Sequence, residues 1–320
     1  MSVENNKVAI VGGGMAGVIA ARELLVAGAV PTIFEKSRGL GGRLATRRMN
    51  GGFSADHGAQ FLSAEKPPFL EFLSETARSG AIAEWDTASS DANWYVGVPA
   101  MNSFLKSEPL GFDLKTSTQI IKVTAHEDGV ELTMLDGSAE TFDQVIITAP
   151  APQAVAMLNG AQTDMAAELS AVEIAPNWTL MLVFAERLAP GFAFWSEDHP
   201  TLGWIGRNSS KPGRAFSQDS WTVQASVDWS TKFLELEKEE AGERLFNAFR
   251  DLIGSDLPSP IVQTAHRWRY ARTLKPLGKP FLADAEGRIY LAGDWCLGAG
   301  VECAFDSGLA AARDIIAKAG

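Results

Sequence analysis

Cysteine is nearly missing from this chain: Cys296 and Cys303 are the only two in 320 residues, and they have no C-x-x-C spacing. That excludes a disulfide scaffold and a thiolate zinc site, and the two read as reduced thiols in a cytoplasmic protein. Histidine is scarce too. His57, His126 and His199 show no metal-ligand spacing with one another or with the cysteines, so no metal is expected. The polar stretch from Met1 to Lys7 lacks the pattern of a secretory signal, and no apolar run approaches the roughly 20 residues that span a bilayer. No membrane role is expected. Positive charge is in deficit, with 28 Lys and Arg against 39 Asp and Glu and a formal net charge of −11, which disfavours a broad nucleic-acid or anionic-lipid surface. Internal repeats and low-complexity tracts are also lacking.

What is present is an ordinary globular composition, 46% hydrophobic and 21% charged, in a length that suits two domains. Lys7 to Val11 (KVAIV) is an apolar, β-branched run ending in glycines, and Met15 to Leu25 carries helix formers up to Gly28. Thr32 to Glu35 then completes a βαβ unit. Asp113 to Phe142 alternates as two or three strands, and Gln144 to Thr148 (QVIIT) is unbroken and apolar, as a buried parallel strand is. Further on, Trp178 to Phe184, Leu202 to Ile205 and Trp221 to Trp229 read as strands, and Lys232 to Ile253 as one amphipathic helix. Seven of nine tryptophans fall between Ala64 and Ser230, which marks that stretch as a second domain on an antiparallel sheet, its indoles mostly core. Arg288 to Ala292 is a strand and Glu302 to Ala317 a helix, so the chain's end resembles its beginning.

Gly12-Gly13-Gly14-Met15-Ala16-Gly17 fits G-x-G-x-x-G directly after a strand and at a helix start. Gly12 permits the tight turn and Gly14 lets a pyrophosphate approach the backbone, while Gly17 lets helix and strand pack; the helix N-terminus offers N–H groups to phosphate. Glu35 lies at the end of the second strand, where a carboxylate accepts from ribose hydroxyls. Dinucleotide binding follows from strand, turn, helix and acid together. FAD and NAD both carry the ADP moiety that such a unit binds.

The blocks that come next distinguish them by resemblance. Arg38-Gly39-Leu40-Gly41-Gly42-Arg43-Leu44-Ala45-Thr46-Arg47 resembles the second glycine motif of the flavin amine oxidase superfamily. Asp56-His57-Gly58-Ala59-Gln60-Phe61 stands where that family passes close to the isoalloxazine ring, and Thr118 to Val123 resembles its adenine-contacting strand, through Ile120. Leu291-Ala292-Gly293-Asp294-Trp295, followed by Gly300-Val301-Glu302, resembles the ribitol and diphosphate motif. Within the superfamily the chain is most similar to the small renalase-like flavoproteins, above all in His266-Arg267-Trp268-Arg269-Tyr270-Ala271.

The resemblance implies an α/β fold: an FAD-binding Rossmann-like domain of p-hydroxybenzoate-hydroxylase-like topology with an α+β substrate domain. The expected division is 1–64, 98–160 and 272–320 for FAD, with 65–97 and 161–271 for substrate. It implies FAD held by Gly12, Gly14, Met15, Ala16, Gly17, Glu35, Lys36, Gly42, Arg43, Gln60, Ile120, Asp294, Val301 and Glu302. It also implies oxidase chemistry, with hydride leaving a small donor, an isomeric dihydronicotinamide dinucleotide, and electrons reaching O₂. As a strand of period two, 266–270 sets Arg267 and Arg269 on one face and His266, Trp268 and Tyr270 on the other. His266, Arg267, Trp268 and Arg269 are the candidate substrate residues; the rival reading has the arginines pairing with acids and the rings in the core. Many amine oxidases carry a lysine on an apolar substrate-domain strand, and none of the lysines after residue 160 sits in such a run. Oxidation of small amines and a non-catalytic FAD or nucleotide sensor remain the alternatives.

Overall fold

The computed structural model describes residues 3–87, 93–106, 111–158, 163–214 and 218–319. The chain forms two compact units: unit 1 comprises Met1–Gly42, Leu105–Ile174 and Thr273–Gly320, and unit 2 comprises Arg43–Phe104 and Ala175–Arg272. The first crossing falls at Gly42, earlier than the 64 read from the motifs. Thr46–Arg48 and Ser54–Asp56 form a hairpin whose buried Asp56 is bonded to Asn208, Lys211 and Arg214, and this commits the segment to unit 2.

Unit 1 is built on six strands in the order Leu282–Ala283, Ile289–Leu291, Gln144–Ile147, Lys7–Val11, Val30–Glu35, Asp113–Thr116. All neighbours are parallel except the first pair. The two or three strands expected over 113–142 are four, in two parts. Asp113–Thr116 joins this sheet, and Ile120–His126, Gly129–Met134 and Ala139–Phe142 make an antiparallel sheet of their own. The core combines Val11, Phe34, Val145 and Leu291 with Val123, Val130 and Leu132. On another part of the unit, Met15–Val26 packs against Val301–Ala319. A Cβ on Gly308 would stand 2.2 Å from the carbonyl oxygen of Ala16, so only glycine allows that approach.

Unit 2 carries a five-stranded sheet in the order Phe194–Trp195, Leu202–Arg207, Asp219–Ala225, Glu173–Phe184, Val262–Lys275. Against it lies the helix Lys238–Ile253, whose Ala241, Leu245 and Phe249 repeat every four residues and are fully buried. Burying one such Leu or Phe contributes about 1.5–3 kcal/mol. Two expectations are corrected here. The strand read over Trp221 to Trp229 ends at Ala225, because the Ser226 side chain accepts from the Trp229 N–H at 3.2 Å and caps a short helix, Val227–Lys232. The single helix read from Lys232 is interrupted over 233–237, where the Leu234 carbonyl accepts from Arg267 Nη1 at 2.9 Å.

Candidate functional site

The first candidate element is the glycine turn of unit 1. Gly12 adopts a φ of +114°, in the region only glycine occupies freely, and the Thr148 hydroxyl donates to its carbonyl at 3.0 Å. Gly14 caps the helix Met15–Val26 and has no side chain to satisfy the first helical N–H groups. A Cβ on Gly17 would lie 2.0 Å from the Gly12 oxygen, whereas one on Gly14 would meet nothing within 4 Å. The turn is thus closed on its protein side and open at Gly14. Gly42, with φ +51°, sits against it, and a Cβ there would be 3.3 Å from Gly14 Cα.

Glu35 is 5% exposed, and its carboxylate accepts from Gly13 N–H at 2.8 Å and Ser37 N–H at 2.7 Å. Carboxylate oxygens have lone pairs to spare beyond those two bonds, as a ribose diol requires. Lys36 is exposed and its ammonium donates to Gln153 at 3.4 Å. Met15, Ala16 and Ile120 are buried. At the other end of the sheet, Asp294 is buried and accepts from the Thr273 hydroxyl at 2.9 Å, Gly293 has φ +154°, and Val301 begins the last helix with Glu302 in its first turn. Gly14 left open, the buried Glu35 at the end of the strand Val30–Glu35 and a helix N-terminus without a side-chain cap fit the ADP half of FAD. Cys296 is buried, which pushes its thiol up to about 12, and neither it nor Cys303 is in a disulfide.

The second element is the loop 56–60 of unit 2. The carbonyl of Asp56 accepts from Thr222 Oγ1 at 3.0 Å and Gln60 Nε2 at 2.8 Å. That of His57 accepts from Trp268 Nε1 at 2.8 Å, and that of Gly58 from Gln224 Nε2 at 2.7 Å and Gln60 Nε2 at 3.0 Å. Ala59 N–H donates to the Arg43 carbonyl at 2.9 Å, so the loop is tied to the residue that follows Gly42 in the chain. Three consecutive carbonyls held by side-chain donors leave the loop little freedom.

His57, His266 and Trp268 form a ring cluster with centroid separations of 4.6–4.8 Å. Burial, then the neighbouring His266, lowers His57 to about 4; burial, then Arg47, lowers His266 to about 4. Both imidazoles are neutral at pH 7. The alternation read from the sequence is therefore visible, with the rings of 266 and 268 gathered on His57. The arginines of the opposite face are bound to one acid: Arg267 Nη1 lies 3.0 Å and Arg269 Nη1 2.7 Å from the Glu235 carboxylate. Glu235 itself lies before the helix Lys238–Ile253.

Sequence reasoning missed the groups beneath the loop. Asp56 is fully buried, and its Oδ2 accepts from Arg214 Nη2 at 2.7 Å and Lys211 Nζ at 3.2 Å, while Oδ1 accepts from Thr46 Oγ1 at 2.6 Å. Lys211 stands in Ser-Lys-Pro-Gly, a pattern that reads as an exposed turn, so burial of its ammonium had no local signal.

Comparison with known proteins bears on the family and the fold. The profile of the flavin containing amine oxidoreductase family matches residues 76–316, and that of an NAD(P)-binding Rossmann-like domain matches residues 10–76. The chain belongs to the flavin containing amine oxidoreductase family, and it is an FAD-dependent oxidoreductase. It is similar to renalase of Mus musculus, with 23% identity covering 83% of this chain and 85% of the relative. Among solved structures, a protein from Exiguobacterium sp. 255-15 named after protoporphyrinogen oxidase superposes with a TM-score of 0.77 at 14% identity, covering 98% of this chain and 99% of that one. Putrescine oxidase bound to putrescine gives 0.67, also at 14% identity, with 98% and 99% covered. The α/β class with a Rossmann-like domain and a separate antiparallel sheet is the fold they share.

Proposed function

We propose that this enzyme takes hydride from a small activated donor, an isomeric dihydronicotinamide dinucleotide, and delivers the electrons to O₂. Unit 1 is the FAD-binding domain in this reading and unit 2 the substrate domain. Gly12, Gly14, Met15, Ala16 and Gly17 receive the diphosphate, Glu35 and Lys36 the adenosine ribose region, and Ile120 the adenine. Gly42, Arg43, Gln60, Asp294, Val301 and Glu302 hold the flavin half. FAD, when bound, supplies the hydride acceptor, and the chain supplies binding, orientation and electrostatics.

The observation that carries the substrate is the neutral ring cluster His57, His266 and Trp268. A group whose pKa lies near 4 is a poor base at pH 7, so this face is unsuited to stripping a proton from an alkylammonium. A dihydropyridine carries no proton that must leave before its hydride does. Flat aromatic surface also suits a nicotinamide ring. The likeness to renalase supports the same reading. Both cysteines then remain reduced in the cytoplasm. Oxidation of small amines is the second reading, favoured by the family match and the putrescine oxidase fold.

Anaerobic stopped-flow mixing with dihydronicotinamide isomers and with a panel of amines separates the two. Fast bleaching of the flavin by a dihydronicotinamide and slow bleaching by every amine is the expected result. The reverse order returns the enzyme to amine oxidation, and no bleaching by any donor makes it a flavin-binding sensor.

A further inference from the structure

The ion cluster beneath loop 56–60 carries more positive charge than it needs. Asp56, Lys211 and Arg214 have side chains at most 2% exposed, and they bring two cations to one carboxylate. Desolvating a charge is costly, so stability alone does not account for a second cation on one buried carboxylate. Arg214 already answers the acid: its Nη2 is 2.7 Å from Asp56, and its Nη1 donates to the carbonyls of Gly97 and Pro212. Lys211 is the surplus. Its longer bond to Asp56, 3.2 Å, is joined by one to Gln60 Oε1 at 3.0 Å, and its ammonium lies 5.2 Å over the Trp85 ring.

An ammonium has only donors, so whatever faces it must accept. Lys211 therefore fixes which end of the Gln60 carboxamide is oxygen, and it leaves Nε2 for the carbonyls of Asp56 and Gly58. A second observation marks the same spot. The buried Nε1–H of Trp204 has no hydrogen-bond partner, and a Cβ placed on Gly206 would lie 3.1 Å from that nitrogen and 3.3 Å from Gln60 Oε1. An unanswered donor and the lysine-held acceptor thus converge on one bare α-carbon.

We propose that Lys211 is a positioning residue: through Gln60 it sets the loop that borders the flavin ring, and loss of its proton loosens that loop. The inference rests on the reading that loop 56–60 adjoins the flavin. The charged groups that face the ammonium, among the described residues, are Asp56 from the hairpin and Arg214 from the lysine's own loop. Burial raises Asp56, but Lys211 and Arg214 outweigh it and bring the carboxyl down to about 2, while arginine keeps its charge throughout. Burial lowers Lys211 to about 8 against the pull of Asp56 and with the help of Arg214. Lys211 is then the member that changes charge between pH 6 and 9.5.

The test is a pH titration of the substrate-free holoenzyme between pH 6 and 9.5, followed by the visible absorption of bound FAD. The native enzyme is expected to show a shift of the flavin band with one midpoint near pH 8. Lys211→Met should lose the transition, and Lys211→Arg should keep the low-pH spectrum across the range. A flat native titration, or a transition that survives in Lys211→Met, overturns the proposal. A merely structural lysine would change the melting temperature and leave the titration in place. Should Lys211→Met fail to fold, Gln60→Leu decides, because it keeps all three charges. Loss of the transition supports the relay through Gln60, and its retention refutes it. No substrate enters the measurement, so failure of the dihydronicotinamide reading leaves the result standing.

Discussion

The imidazoles of His57 and His266 meet edge to face with centroids 4.8 Å apart, and neither takes a proton until the pH falls to about 4. In the unfolded chain the same rings protonate near 6.5. As pH falls the unfolded state binds protons first, so stability present above 6.5 is lost progressively down to 4. For His57, 5% exposed, the loss amounts to at most about 3 kcal/mol. Thermal melts should show a falling midpoint between pH 7 and 4.5, with a shallower slope in His266→Phe. A midpoint that does not move over that range would remove the neutral pair.

Two glycines three residues apart should respond to the same substitution in opposite ways. Gly17→Ala puts a methyl 2.0 Å from a carbonyl oxygen and is expected to abolish soluble, folded protein. Gly14→Ala meets no protein atom, and its φ of −82° suits any residue, so the fold should survive while the methyl obstructs the diphosphate. Circular dichroism with FAD titration of the apoprotein checks both; tight flavin binding by Gly14→Ala would move the phosphate elsewhere.

Glu35→Ala removes the acceptor intended for the ribose along with two backbone bonds that shape the turn. Retention of FAD should weaken by about 1.5–3 kcal/mol, roughly 10- to 150-fold, as for a charge-assisted bond. Flavin fluorescence on dilution measures it, and unchanged retention would take Glu35 out of the site.

Arg267 and Arg269 share Glu235 at the surface, and exposed pairs of this kind add little stability. Arg267→Ala and Arg269→Ala should therefore barely move the melting temperature. With one acid already neutralising half of their charge, they are expected to weaken a dihydronicotinamide dinucleotide less than about tenfold, and more than the mononucleotide. Equal KM values for native and variant enzymes would assign the trio to the surface alone.

The backbone of the glycine turn was readable because its signals are local. Gly12, Gly14, Gly17 and Glu35 fall within one strand-turn-helix-strand run, and the backbone there is dictated by residues a few positions away. The ring cluster was half readable: period two placed His266 and Trp268 on one face, but their partner His57 lies some 210 positions earlier. Lys211 and Arg214 were not readable at all. Their burial depends on Asp56, more than 150 residues away, and a lysine beside Pro-Gly carries the look of solvent. Helix caps deceived as well, since Ser226 turns a strand-like run into a helix with a single side-chain bond.

The packing of Gly308 against Ala16 joins the start of the chain to its end. The helix Met15–Val26 that follows the glycine turn and the helix Val301–Ala319 that covers it lie some 290 residues apart in the sequence. Arg313 of that helix also binds Glu23. A nascent or truncated chain short of those residues has every glycine of the cofactor motif and an uncovered face behind it. The glycine motif is therefore no self-sufficient module: the helix it opens is covered only by residues from a distant segment of the sequence.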